Sequence, residues 1–331
     1  MIDVNLKMVY MDYFSQNVKI KHLQFPRFMS GPLDGITDSP FRQLVREFSQ
    51  DELLYTEMRH VRSVVTPKGG ALALNFEQFE RPLNFQVSAN SVDFIQPACE
   101  KIIEAGVDMI DLNAGCPARN VISSCCGSAL MAEPKKLEAI LKEFKRVIPD
   151  HIPFTIKIRA GFKEVNAVDI AKLAQDCGVD ALAIHPRLQT QKFLGIPDYQ
   201  LAAEVKKALQ IPVLLSGNVV NFKTAKMTYE QTGVDGFLIG RGMWAKPWKL
   251  EEIKHHARGE EFVVSSATML KVALKHVSLM VKHFGLHGLL RFRKHLPFYI
   301  KGHPDASALR SRLVRSQSEE EIKEGLREFL G

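Results

Sequence analysis

Eight short apolar runs recur along the chain: RFMSGP (27–32), LLYTEM (53–58), LNFQVSA (83–89), MIDLNAG (109–115), FTIKIRA (154–160), ALAIHPR (181–187), VLLSGN (213–218) and GFLIGRG (236–242). Each is too short for a helix and is bounded by turn residues, the pattern of a strand buried on both faces. Between most of them lie stretches of helical period, among them VDFIQPACEKIIEAG, PKKLEAILKEFKRVI, AVDIAKLAQDCG and YQLAAEVKKAL. Gly106, Gly178 and Gly233 stand where a helix must end before the next run. Buried strands alternating with helices, about 30 residues apart, predict an α/β fold of the (β/α)8 TIM-barrel class. A doubly wound sheet is the alternative. It is weaker because no GxGxxG follows the first run, and because polar residues mark the end of nearly every run.

Those ends carry Asp34, Glu57, Gln86, Asn113, Lys157, Arg159, His185, Arg187, Asn218 and Arg241. In a barrel they converge on the C-terminal mouth, where such folds keep their active sites. Past about residue 260 the strand pattern stops, and ATMLKVALKHVSLMVKHFG, HGLLRFRKHLPFYIKG and SEEEIKEGLREFLG read as helices, the last opened by a capping box of Ser318 and Glu321. The expected organisation is a barrel over 1–255, with 1–26 unassigned, and a helical domain over 256–331.

Composition excludes several classes. With 46% hydrophobic and 24% charged residues in 331, the chain is neither disordered nor fibrous. No apolar stretch approaches the roughly 20 residues of a membrane span. The start, MIDVNLKMVYMDYF, lacks the basic and apolar regions of a signal peptide, so a cytoplasmic location is expected. Five cysteines without a CxxC pair argue against a disulfide framework or a zinc site, and no metal is expected. Nothing in the sequence calls for an obligate protein partner. The net charge of +7 permits a polyanionic partner, and its placement is informative. Residues 271–315 hold ten Lys or Arg against a single acid, Asp305. Phe292, Phe298 and Tyr299 alternate there with Arg291, Arg293, Lys294 and Lys301, an arrangement suited to RNA phosphates and bases.

Three features carry chemistry. The closing runs end in SGN (216–218) and GRG (240–242), where glycine lets backbone N–H groups approach a phosphate at the position barrels commonly use for one. Lys157 and His185 interrupt apolar strands, where a polar group needs a partner. With Gln86 they form a donor set for the polar edge of a heteroaromatic cofactor. Cys116 follows a strand directly, in an exposed loop, as a reacting thiol would. Cys99 and Cys177 fall in helix patterns as ordinary core, and the adjacent Cys125 and Cys126 receive no role.

At these residues the chain resembles the flavin-dependent tRNA-dihydrouridine synthases. The resemblance runs from about residue 28 to 315 through GPLDGITDSPFR, DLNAGCPARNV, CGSALM, TIKIRAGF, IHPR, SGN, IGRG and RKHLPFYIKG, in the family's order. It implies an FMN barrel, re-reduced by NADPH, that reduces the C5–C6 bond of a uridine in tRNA. The implied FMN contacts are Pro32, Leu33, Asp34, Gln86, Lys157, His185, Ser216, Gly217, Asn218, Gly240 and Arg241. Cys116 matches the proton donor and Asn113 a contact to the base. The chain departs from the family at Leu188 and Gln189, where threonine and arginine are common, at Pro186 for glycine, and at Asn218 for an acid. Two alternatives remain: a barrel flavoenzyme for a free small molecule, such as a dihydroorotate dehydrogenase-like protein, and a non-catalytic RNA-binding protein.

Overall fold

The computed structural model describes residues 13–302 and 306–331. The N-terminal reading up to residue 12, and Asp305, lie outside the described residues. Eleven strands are present among those described: β1 (Asn17–Ile20), β2 (Leu23–Pro26), β3 (Phe28–Ser30), β4 (Leu54–Tyr55), β5 (Arg59–His60), β6 (Leu83–Ser88), β7 (Met109–Ala114), β8 (Phe154–Gly161), β9 (Ala181–Leu188), β10 (Val213–Ser216) and β11 (Gly236–Ile239). Eight of them lie side by side in the order β3-β11-β10-β9-β8-β7-β6-β4, every pairing parallel. The ring closes at β3 and β4, where Ser30 N donates to Leu53 O at 3.1 Å and Tyr55 N to Ser30 Oγ at 2.8 Å. The fold is the expected TIM barrel, with helices outside it.

The runs look uniformly apolar because both faces of each strand are buried, against different things. Ile110, Leu112, Ile156, Ile158, Leu182 and Ile184 face outward and pack with the barrel's surrounding helices. These include α1 (Ser39–Arg46), α2 (Ile95–Glu104), α3 (Pro134–Val147), α4 (Ala167–Asp176), α5 (Tyr199–Ala208), α6 (Phe222–Thr232) and α7 (Lys249–Ala257). Met29, Tyr55, Met109, Ala181, Ala183, Leu214 and Leu238 form an inner core instead. Above it, towards the strand ends, the alternate positions turn polar: Asp111 and Asn113 on β7 lie beside Thr155 and Lys157 on β8.

Three details differ from expectation. The span left unassigned contains an antiparallel hairpin, β1–β2, whose Val18, Ile20 and Phe25 join the inner core and plug the barrel's lower end. Its turn is Lys21-His22, with Lys21 at φ 56°, rather than the Asn-Gly or Gly-containing pair that marks such turns in sequence. The run 53–58 is a strand only over Leu54–Tyr55, because the Thr56 hydroxyl takes the Gln86 N–H at 2.9 Å in place of a ladder carbonyl. The capping box is half formed: Ser318 accepts from Glu321 N, but the Glu321 carboxylate accepts from the Ser316 hydroxyl at 2.6 Å.

The C-terminal region holds α8 (Ser266–Phe284), α9 (His287–Phe292), α10 (Leu296–Tyr299), α11 (Ala306–Leu313) and α12 (Glu319–Leu330). The segment 287–302, expected as one helix, is two short ones, with Pro297 opening the second. Val272, Val277, Met280, Leu289, Phe292, Leu313 and Leu326 make its core, which reaches the barrel through Leu44, Ala245 and Trp248. His276 and His295 are fully buried there, ring centroids 4.3 Å apart, with His276 Nδ1 3.0 Å from the Tyr299 hydroxyl. Burial holds both imidazoles neutral, His295 at a pKa of about 3. The unfolded chain binds protons that the folded one refuses, so stability is complete above pH 6.5 and falls below it. Between pH 7 and pH 5 His295 should remove about 2 kcal/mol, with His276 acting in the same direction. Urea unfolding at the two pH values should show this loss reduced in His295→Leu.

Candidate active site

The strand ends surround a cleft at the barrel mouth. Of the residues singled out in the sequence, Pro32, Leu33 and Asp34 line it from the loop after β3, Asn113 and Cys116 from β7 and its loop, and Lys157 and His185 from β8 and β9. Ser216, Gly217 and Asn218 after β10, with Gly240 and Arg241 after β11, complete its wall. Gln86 is not on the lining: it lies fully buried behind Asn113, whose Nδ2 donates to Gln86 Oε1 at 2.9 Å. Arg159 and Phe193 line the cleft although no cofactor or substrate role was read for them. Phe193 sits in a surface loop without period, so its placement had no sequence signal.

Cys116 is held by its backbone. Its N–H donates to Asn113 Oδ1 at 2.8 Å, and its carbonyl accepts from Ser128 N at 3.1 Å and Ser128 Oγ at 2.9 Å. Gly115 precedes it because a Cβ there would meet the Ile158 and Lys157 backbone at 3.1–3.3 Å. The thiol is half-buried, and burial pushes its pKa up despite the Ala118 N–H and the nearby charges of Arg159 and Lys157. It is therefore held as a proton-bearing acid rather than a thiolate. Cys126 is buried and Cys125 exposed, the latter at φ 55°.

Cations surround this thiol. Lys157 makes no hydrogen bond or ion pair among the described residues, and desolvation with the charge of Arg159 lowers its pKa to about 8. Burial and the same cations push His185 down to about 2, so its ring is neutral. Arg187 Nη1 lies 3.2 Å from His185 Nε2. A guanidinium only donates, so Nε2 accepts and the ring proton sits on Nδ1. Arg159 and Arg187 are each only 1% exposed, yet neither meets a carboxylate among the described residues. Arg159 donates to the carbonyls of Gly115, Leu188 and Lys192 at 2.8–3.0 Å, and Arg187 to those of Leu194 and Gly195. Their two guanidiniums wrap the loop after β9 around the mouth and hold Phe193, 49% exposed, with Arg241 4.9 Å over its ring.

The wall after β10 and β11 suits an anion. Gly217 takes φ 137° and Asn218 φ 58°, and a Cβ on Gly217 would stand 3.0 Å from the His185 ring. Asn218 Oδ1 is shared between Arg187 and Arg241 at 3.3 and 3.4 Å. The exposed guanidinium of Arg241 and the backbone around Gly217 and Gly240 make a phosphate cradle. A lysine without a protein partner, a neutral histidine donor and this cradle fit a flavin mononucleotide, which carries an anionic ring locus, a carbonyl edge and a phosphate.

The basic helical segment behaves differently from its sequence pattern. Arg291 donates to Glu57 at 2.7 Å and lies 3.4 Å from Asp38, both buried carboxylates, so it joins the helical region to the barrel rather than standing free. Arg293 is half-buried and reaches the Ser316 carbonyl at 3.5 Å. Lys294 and Lys301 are exposed, and Lys294 Nζ touches the Asp34 carbonyl at the cleft edge. Phe292 and Tyr299 are core, and Phe298 packs edge-on to Trp244 at 4.5 Å, so these aromatics do not form a stacking surface. Cations without an ion pair among the described residues also lie past the strand ends, in loops and at the starts of the following helices, as they do elsewhere on the surface at Lys19 and Lys207. Arg119, Lys163, Lys192, Lys223 and Lys246 are exposed and form no ion pair among the described residues. At the opposite end, Asp108, Asp150, Asp180 and Asp235 are each paired, with Arg81, Lys145, Lys21 and Lys206. The mouth cations are scattered in sequence, each just beyond a strand end, and only the register gathers them.

A closed parallel barrel with a cleft and a protonated thiol at its cationic mouth defines the TIM-barrel class of enzyme. The Dihydrouridine synthase (Dus) family matches residues 29–330, and the chain belongs to this family of oxidoreductases. It is 33% identical over 302 residues to a probable tRNA-dihydrouridine synthase 1 of Synechocystis, covering 90% of this chain and 84% of that one. It is 31% identical to a tRNA-dihydrouridine synthase B of Pseudomonas aeruginosa, covering 92% of each. The fold is shared with morphinone reductase in complex with tetrahydroNAD, at TM-score 0.56, 10% identity and coverage of 77% and 93%. It is shared also with histamine dehydrogenase from Rhizobium sp. 4-9, at TM-score 0.57, 11% identity and coverage of 82% and 51%. Among the described residues no helix is long and apolar enough to cross a membrane.

The Lys157 ammonium is a local strain on the cofactor-free chain. Its folded pKa of about 8 lies below the unfolded 10.5, so its charged form opposes folding below pH 8 and the effect fades as the pH rises through that range. Lys157→Met should stabilise the cofactor-free protein by about 2 kcal/mol at pH 7, and by less at pH 10, in urea unfolding.

Proposed function

We propose that this chain reduces the C5–C6 double bond of specific uridines in tRNA to 5,6-dihydrouridine, using FMN that NADPH re-reduces, and that it acts in the cytoplasm. The observation that carries the reading is Cys116, a thiol kept protonated at the rim of a cleft fitted to a flavin nucleotide. When bound, reduced FMN supplies the hydride that adds to uracil C6.

Ser216, Gly217, Asn218, Gly240 and Arg241 hold the phosphate, while Lys157 and His185 donate to the ring's polar edge. Pro32, Leu33 and Asp34 border the ring, and Gln86 supports the set from behind Asn113. Asn113 uses one Nδ2 hydrogen on Gln86 and keeps the second for a uracil carbonyl. Cys116 delivers its proton to C5: the S–H bond breaks as the C5–H bond forms, and the thiolate regains a proton from solvent. The charges of Lys157 and Arg159 favour that transient thiolate. A base must leave its stack to enter the cleft. The unpaired cations of the mouth loops, with Lys294 and Lys301, neutralise the surrounding phosphates.

The test is purification and mapping. The protein should carry yellow flavin, NADPH should bleach it, and tRNA from cells lacking the protein should restore the colour. Cys116→Ala should still be bleached by NADPH, but reoxidation by tRNA should slow by about 10²–10⁴-fold. Absence of flavin, or persistence of every dihydrouridine in cells lacking the protein, would sink the reading.

A further inference from the structure

Behind Cys116 runs a line of side chains whose donors and acceptors point one way. Asp111, fully buried on β7, accepts from Thr155 Oγ1 at 2.6 Å and from Gln86 Nε2 at 2.7 Å. Gln86 Oε1 then accepts from Asn113 Nδ2 at 2.9 Å, and Asn113 Oδ1 accepts from Cys116 N at 2.8 Å and Gly115 N at 3.1 Å.

An amide group can be reversed end for end, but an ionised carboxylate can only accept and a backbone N–H can only donate. With a carboxylate at one end and two N–H groups at the other, both amides have a single satisfied orientation. Reversing either one would set NH2 against NH2 or oxygen against oxygen inside a dry barrel, where an unmatched polar group is costly.

We propose that Asp111 is a positioning residue that fixes the Cys116 loop through Gln86 and Asn113, so that the thiol stays at the cleft wall. Its importance for turnover rests on the reading of Cys116 as the proton donor. Its effect on the thiol does not, and the two can fail separately.

The experiment follows alkylation of the purified protein by iodoacetamide, resolved by peptide mass spectrometry, with exposed Cys125 as the internal reference. In Asp111→Asn the line loses its fixed end, the loop loosens, and Cys116 gains water and thiolate character. Its alkylation should quicken by about five- to tenfold while Cys125 is unchanged. Gln86→Met interrupts the line while Asp111 and its bond from Thr155 stay in place and should do the same, so it carries the test if the first variant fails to fold. Combining Asp111→Asn with Gln86→Glu moves the carboxylate one step along. The new amide at 111 can then accept from Thr155 and donate to position 86, whose carboxylate accepts from Asn113. This pair should return Cys116 to within about twofold of the wild-type rate. A role confined to packing the barrel predicts no rescue and equal changes at Cys116 and Cys125. Wild-type alkylation of Cys116 in Gln86→Met, or a double variant no slower than Asp111→Asn, overturns the proposal.

Discussion

Desolvated positive charge governs the mouth of this barrel. Lys157, Arg159 and Arg187 enter it from two neighbouring strands, and the carboxyl group set against Lys157 is that of Asp111, which burial pushes up to about 6. A guanidinium out of water must find acceptors, and with no carboxylate at hand Arg159 and Arg187 recruit backbone carbonyls. Those carbonyls belong to the loops after β7 and β9, so meeting the arginines' needs also shapes the cleft. Burial first, and the same field after it, keep His185 neutral and depress Lys157. The field leaves the site short of negative charge until an anion arrives.

Cys116 shows how such a field is moderated. Cations alone would draw the thiol towards thiolate, yet burial outweighs them and the proton stays. The clamp of Asn113 and Ser128 fixes the Cys116 backbone, and the strand register sets Asn113 beside Lys157. Acid, cation and cradle are thus placed by one sheet and not by independent loops.

Much of this was legible in the sequence, for a definite reason. Strands buried on both faces announce themselves as apolar runs, and their polar ends mark the mouth, so the eight-strand barrel and nearly the whole cleft lining could be read from periodicity and position. The β1–β2 hairpin could not, because Lys21-His22 makes its turn without the usual turn residues. Gln86 and Arg291 expose a second limit. Sequence shows that a donor exists but not what consumes it, and here buried Asp111, Glu57 and Asp38 do so. The aromatics of 292–299 read as a stacking face for the same reason: their burial against His276 and Trp244 is a tertiary fact.

The contact of Arg291 with Asp38 and Glu57 bears on how members of such a family could diverge. Glu57 also accepts the Gly35 N–H at 2.6 Å, so one arginine from the helical region steadies the loop that follows β3 and borders the cleft. Removing the arginine would leave buried Asp38 without its ion-pair partner, a loss of about 3 kcal/mol for a broken buried pair, while Glu57 keeps Arg59 at 2.7 Å. The helical region is therefore not an interchangeable module. A chimera that grafts another relative's helices onto this barrel must carry a cation to the same point, or replace Asp38. The seating of the helical region is accordingly tied to residues that lie in the barrel's own first loops.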